Sequence, residues 1–159
     1  MPAAVTQLKI IAPLSGVLVP LETVPDPVFA QKMVGDGVSL DPTSGTLLAP
    51  VDGVVTQIHA SNHAVTLTTP DGIEILLHIG IDTVMLKGEG FFPHVKPGDE
   101  VKCGQPLIDF DIDLVARKAR SLLTQILVAN VEKVARLIPA EGLVEAGADT
   151  VMTLEIGQV

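Results

Sequence analysis

The sequence predicts an all-β fold, a single antiparallel β-sandwich or barrel-like domain with one short helix near residues 114–123. Three observations carry this. The 14 Gly and 12 Pro of the 159-residue chain are spread at intervals and separate short apolar runs, as in chains of many short strands joined by turns. Only one segment has strong helical periodicity. A turn pattern also occurs twice, as in a sandwich whose halves are built alike.

In chain order, the apolar runs fall at 10–21, 38–40, 46–59, 64–68, 73–79, 107–110, 126–131 and 151–156. The repeated pattern is Ala12-Pro13-Leu14-Ser15-Gly16-Val17-Leu18 and Ala49-Pro50-Val51-Asp52-Gly53-Val54-Val55. In each copy Pro presets the first turn residue and Gly supplies a position with φ > 0, after which a strand begins. The helix has Leu114, Ala119, Leu122 and Leu123 facing inward and Arg117, Lys118 and Arg120 in water. Asp111 or Asp113 caps it, since a carboxylate there accepts from unpaired backbone N–H groups.

Composition narrows the function. Ten Lys+Arg against 19 Asp+Glu give a net charge of −9, which argues against a nucleic-acid or anionic-membrane partner. The lone cysteine, Cys103, excludes a disulfide framework and a cysteine-based zinc site. No run approaches the 18 or more apolar residues of a membrane span. The opening MPAAVTQLKIIAPLSG lacks the basic start and unbroken apolar stretch of a secretory signal. Only Met1–Lys9 precede the first expected strand, too few for a membrane-binding helix. The expectation is a cytoplasmic protein without direct membrane insertion.

The chemistry centres on two of the four histidines. His63-Ala64-Val65-Thr66-Leu67-Thr68 and Ile73-Glu74-Ile75-Leu76-Leu77-His78-Ile79 read as a hairpin around Thr69-Pro70-Asp71-Gly72, a good type I turn. A two-residue loop at Pro70-Asp71 sets His63 directly opposite His78 and Val65 opposite Leu76, with facing Cβ atoms about 4.5–5.5 Å apart. An extra αL glycine in the turn shifts that register by one. Three uses of such a pair stay open on physical grounds. The rings can be unrelated surface histidines. They can hold zinc with a third ligand from Asp82, Asp26 or His94. Or one nitrogen can take a phosphoryl group while the other ring stabilises its charge.

The run Gly72-Ile73-Glu74-Ile75-Leu76-Leu77-His78-Ile79-Gly80-Ile81-Asp82-Thr83-Val84, followed by Leu86-Lys87-Gly88-Glu89-Gly90-Phe91, resembles the signature of the glucose-type EIIA family of the bacterial sugar phosphotransferase system. Val24-Pro25-Asp26-Pro27-Val28-Phe29-Ala30-Gln31-Lys32-Met33-Val34-Gly35-Asp36-Gly37, Ala49–Gly53, Asn62–Val65 and Val95–Asp99 resemble further blocks, so the similarity spans about residues 10–155. It implies an antiparallel sandwich and one EIIA type-1 domain over 1–159, free-standing or part of a longer fusion.

The same resemblance implies the roles. His78 accepts a phosphoryl group at Nε2 from the phosphocarrier protein HPr and passes it to the IIB domain of a glucose- or N-acetylglucosamine-type permease. His63 stabilises the group, and Ser61 supplies the hydroxyl beside it. Asp26 and Asp82 flank the active face. Phe29, Met33, Val34, Leu76 and Val84 form an apolar rim for transient partners. No cofactor is required; the alternative is a zinc-binding or regulatory module using His63 and His78 with an outside ligand. The residues make these roles chemically reasonable. Gly80 lets the strand bend so that a backbone carbonyl reaches Nδ1–H of His78, which leaves Nε2 as the nucleophile. No nucleotide-binding loop is present, so the donor is expected to be a protein. His59 and His94 are expected to be ordinary surface residues, and Cys103 structural.

Overall fold

In a computed structural model describing residues 5–157, fourteen strands form three open antiparallel sheets. The strands are β1 (Val5–Ile11), β2 (Gly16–Pro20), β3 (Asp36–Pro42), β4 (Thr46–Leu48), β5 (Gly53–Ile58), β6 (Ala64–Thr68) and β7 (Glu74–His78). They continue as β8 (Phe91–Pro93), β9 (Glu100–Val101), β10 (Pro106–Phe110), β11 (Thr124–Val128), β12 (Arg136–Pro139), β13 (Gly142–Val144) and β14 (Thr150–Gly157). The large sheet runs β13-β2-β3-β11-β7-β6-β5-β9, and two smaller sheets run β1-β14-β12 and β4-β10-β8. The expected sandwich is present, and among the described residues no sheet closes into a barrel.

Period-two patterning explains the core. In β7 and its flanks Ile73, Ile75, Leu77 and Ile79 are buried, while Glu74 is exposed and His78 half-buried on the opposite face. Val65 and Leu67 of β6 lie on the core side with them. Each such aliphatic side chain contributes roughly 1.5–3 kcal/mol on leaving water. A second, smaller cluster of Leu21, Val24, Phe29, Ile81 and Leu127 packs away from the main core.

The repeated turn has a structural meaning. Gly16 opens β2 and Gly53 opens β5, and a Cβ on either would strike a neighbouring backbone oxygen, Asp41 O at 2.0 Å or Thr68 O at 2.6 Å. Close approach of backbone therefore demands glycine at both places; φ is positive only at Gly16. The two copies also bond across each other, Ile11 N–H to Pro50 O at 2.9 Å and Leu48 N–H to Pro13 O at 2.9 Å.

Several expectations need correction. The helix near 114–123 is α2 (Ile112–Lys118); Asp111 caps it by accepting from Leu114 N–H at 3.1 Å. The chain turns extended at Ala119, and Ser121 then bridges Ile81. The buried side chain of α2 is Val115, while Leu114, Ala119 and Leu122 pack half-buried. A further one-turn helix, α1 (Pro27–Ala30), starts at Asp26, whose carboxylate accepts from Val28 N–H at 2.9 Å, with Pro27 in the first turn. The first strand begins at Val5, not after Lys9; Met1–Ala4 lie outside the described residues. The run 46–59 is two strands in different sheets, parted by the second turn copy.

The register of β6 and β7 also differs from the two-residue-loop expectation. Ala64, not His63, faces His78, and Thr66, not Val65, faces Leu76. The cause is the turn. Gly72 has φ +83°, Gly72 N–H donates to Thr69 O, and Thr69 N–H donates to Ile73 O, so the glycine adds one residue to the loop.

Candidate active site

His78 ends β7, where Gly80 turns the chain at φ +74°. The turn brings the Gly80 carbonyl to 2.9 Å from Nδ1 of His78. A carbonyl only accepts, so the neutral ring carries its proton on Nδ1 and leaves the Nε2 lone pair free. Glycine is needed here for conformation and for space, because a Cβ would meet Thr83 Cγ2 at 2.5 Å and Ser121 O at 2.9 Å. Thr83 is fixed in turn by its hydroxyl bond to Ile79 O.

His63 precedes β6 and follows Asn62, a left-handed residue at φ +61°. The shifted register alone would direct it with Ile79 toward the core, and Ile79 N–H does donate to the His63 carbonyl at 2.9 Å. Outside the strand, however, side-chain alternation no longer governs it. Its ring stands edge-on to His78, centroids 4.9 Å apart, with the residue only 2% exposed. The pair expected from the sequence is thus assembled, through the turn before β6 and not through direct cross-strand opposition.

Burial is the leading influence on both imidazoles. It pushes His63 down to about 4, helped by the nearby His78 and His59 rings, with the Ser61 backbone opposing. His78 is also lowered by burial; the Gly80 carbonyl, the Gln125 side chain and Asp26 act in the other direction. Both rings are therefore neutral at physiological pH, as a nucleophilic nitrogen must be. Nδ1 of His63 is buried without a well-formed hydrogen bond.

Around the pair, Phe29 of α1 packs its ring against His78 with centroids 4.9 Å apart. Phe29 is 6% exposed and belongs to the small core cluster, so it packs against His78 out of solvent and is not part of an exposed rim. Met33, Val34 and Val84 are exposed and Leu76 is half-buried; Leu76 and Val84 line the hollow that holds the two histidines. Met85, which follows Val84, is 75% exposed. Asp26 caps α1 and acts electrostatically on His78, while Asp82 faces Arg120 of its own chain at 4.0 Å. Ser61 sits half-buried in the turn between His59 and His63.

Two further residues stand beside the pair. His59 is exposed, as expected of a surface residue, and its ring centroid lies 4.4 Å from that of His63. Gln125 of β11 pairs in register with His78, is fully buried, and has an Oε1 without a well-formed hydrogen bond while its Nε2 donates to Leu123 O at 2.8 Å. A glutamine leading into the apolar run Ile126-Leu127-Val128 was the available signal. His94 lies elsewhere, bonded to Asp109 at 2.7 Å. Cys103 donates its N–H to Asp52 at 2.7 Å.

Among the described residues the zinc alternative finds no third ligand. His94 is engaged with Asp109, Asp26 with the α1 N-terminus, and Asp82 faces Arg120. Among the described residues no group of three or more His, Cys, Asp or Glu is placed to hold a metal ion. No helix of those residues is long and apolar enough to cross a membrane. The site is instead a hollow of about 350 Å³ lined by Gln57, His59, His63, Ala64, Thr66, Leu76, His78 and Val84. Such a hollow can present a nucleophilic nitrogen to a group brought by another protein and hold that group beside a second imidazole.

Comparisons with known proteins agree with this geometry. Residues 8–134 match the family model described as phosphoenolpyruvate-dependent sugar phosphotransferase system, EIIA 1. The chain is 52% identical over 126 residues to the PTS system glucose-specific EIIA component of Halalkalibacterium halodurans, covering 79% of this chain and 73% of that one. It is 41% identical over 146 residues to the protein of the same name from Buchnera aphidicola, covering 92% and 91%. A solved structure, glucose permease IIA from Mycoplasma capricolum, superposes with a TM-score of 0.88 at 38% identity, covering 93% of this chain and 96% of that one.

Proposed function

The chain belongs to the EIIA 1 family of the phosphoenolpyruvate-dependent sugar phosphotransferase system, and from that premise we propose that it is a phosphocarrier whose His78 relays a phosphoryl group between two proteins. The donor is phosphorylated HPr and the acceptor the IIB domain of a glucose- or N-acetylglucosamine-type permease, in the cytoplasm. The observation that carries the reading is the 2.9 Å bond from Nδ1–H of His78 to the Gly80 carbonyl, beside the His63 ring.

In the forward step the Nε2 lone pair of His78 attacks phosphorus. The donor's N–P bond breaks, and its electron pair returns to the donor imidazole as the Nε2–P bond forms. Nδ1–H stays on the Gly80 carbonyl, which supports the positive charge the ring acquires. No proton needs an outside acceptor. Once the group is on His78, His63 faces it as a second imidazole that stabilises its charge for onward transfer. Displacing the group onto the next acceptor restores neutral His78. The site provides position and electrostatics; little other covalent assistance is needed.

Docking uses Met33, Val34, Leu76, Val84 and Met85, with Asp26 and Asp82 at the edge. The charge of −9 favours a carrier with a basic face, chiefly by raising encounter rate. The test is incubation with phosphorylated HPr followed by intact mass. One acid-labile phosphate, absent in His78→Ala, is expected; a phosphate that persists in His78→Ala, or no transfer to the wild type, overturns the assignment.

A further inference from the structure

The side chain of His59 is held in place although the residue is exposed. It leaves β5 at the start of the turn that leads to His63. Its backbone N–H donates to Ala64 O at 2.9 Å, and Asn62 N–H donates to its carbonyl at 2.8 Å, which ties both ends of the turn together. Its ring is fixed as well, because Ser61 N–H donates to Nδ1 of His59 at 3.1 Å. A nitrogen that accepts a backbone N–H cannot carry a hydrogen in the neutral ring, so the proton of His59 sits on Nε2. The ring then lies 4.4 Å from His63, itself 4.9 Å from His78, and all three line one hollow.

The three rings divide their nitrogens in a chemically useful way. His78 has a free Nε2 lone pair, the nucleophile. His63 has its Nδ1 sealed from water. His59 is the ring whose neutral tautomer is defined as an Nε2–H donor by a backbone bond. A phosphoryl group on His78 brings three anionic oxygens into the hollow, more acceptors than His63 alone can meet. An oriented donor whose tautomer is already set costs no reorganisation when those oxygens arrive.

We propose that His59 is a third residue of the phosphoryl site, donating its Nε2–H to an oxygen of the phosphoryl group carried on Nε2 of His78. This rests on the phosphocarrier reading. His59 forms and breaks no covalent bond. Its contribution falls on the phosphorylated state alone: it prolongs the lifetime of phosphohistidine and fixes the orientation of the group for the next transfer.

The experiment compares wild type, His59→Phe and His59→Gln, each phosphorylated by phospho-HPr and followed by intact mass and 31P NMR. Phe keeps a flat ring against His63 but has no donor; Gln restores an N–H near the position of Nε2. The expected result is that all three take one phosphate, with phosphohistidine in His59→Phe hydrolysing about tenfold faster, as for loss of one hydrogen bond to a charged group. Its 31P resonance should shift, and Gln should restore both properties in large part. Equal lifetimes and resonances in wild type and His59→Phe overturn the proposal while leaving the phosphocarrier reading intact. A wild type that takes no phosphate overturns that reading and this proposal with it. Failure of Gln to restore either property where Phe is defective assigns the effect to ring packing and also overturns it.

Discussion

The carbonyl of Gly80 lies 2.9 Å from Nδ1 of His78, two residues back along the same chain. The His78 ring is thus oriented by its own backbone, through a turn that only glycine makes without strain. Everything that holds Gly80 in place, including Thr83 and Ser121, bears on which nitrogen of His78 is free.

Gly80→Ala tests this. The methyl group would meet Thr83 and Ser121 at a backbone φ of +74°. The expected loss is about 1–3 kcal/mol of stability by urea denaturation. In protein that remains folded, the rate of phosphoryl uptake should fall as well, because the carbonyl moves away from Nδ1. Normal stability with normal uptake would show that the turn is not required.

The low proton affinity of the buried pair predicts an acid-sensitive fold. His63 titrates at about 4 in the folded state against 6.5 when free, and burial lowers His78 too. Between those values the unfolded chain binds protons that the native chain refuses. The stabilisation is intact above about pH 6.5 and erodes as pH falls toward about 4, with a slope of up to about two protons. Urea denaturation at pH 7.5, 6 and 5 checks the sign. His63→Gln should show a shallower slope than wild type; identical slopes would mean His63 is not the group refusing the proton.

His63→Gln should also separate the two half-reactions. The nucleophile is untouched, so uptake from phospho-HPr is expected within a few-fold of wild type. Onward transfer should drop about a hundredfold, the scale for removing one stabilising group from a charged transition state. Single-turnover measurements in each direction decide it, and equal losses in both would refute this division of labour.

Met33 is 67% exposed and Met85 75%, and neither is needed by the core. Replacing either with Asp should change stability by no more than about 0.5 kcal/mol. It should raise the KM for phospho-HPr severalfold with kcat nearly unchanged. An unaltered KM for both variants would place the docking surface elsewhere.

What the sequence disclosed, and what it hid, follow from how far each signal reaches. The alternation of Ile73, Ile75, Leu77 and Ile79 is local and strong, so strand, face and core were legible, as was the nearness of His63 to His78, though not their direct opposition. The register was lost at Gly72, where one αL residue moves every opposing partner by one. The helix α1 was overlooked although Asp26-Pro27 is a helix-starting pair, because four residues give no periodicity. Strands β12 and β13 are largely exposed and carry little apolar pattern. His59 could not be placed by strand periodicity, since the left-handed Asn62 and the turn around it determine where its ring lies.

The outermost paired residues of the first and last strands, Val5 and Gly157, are partners in register. Both ends of the described chain therefore leave from one corner of the molecule. A host polypeptide can accept the whole unit as an insert between two adjacent points, without pulling a strand from any sheet. A short linker across that corner would close the chain into a ring, which can then be reopened at an exposed loop remote from the turn at 59–62 to give a permuted protein with the same hollow.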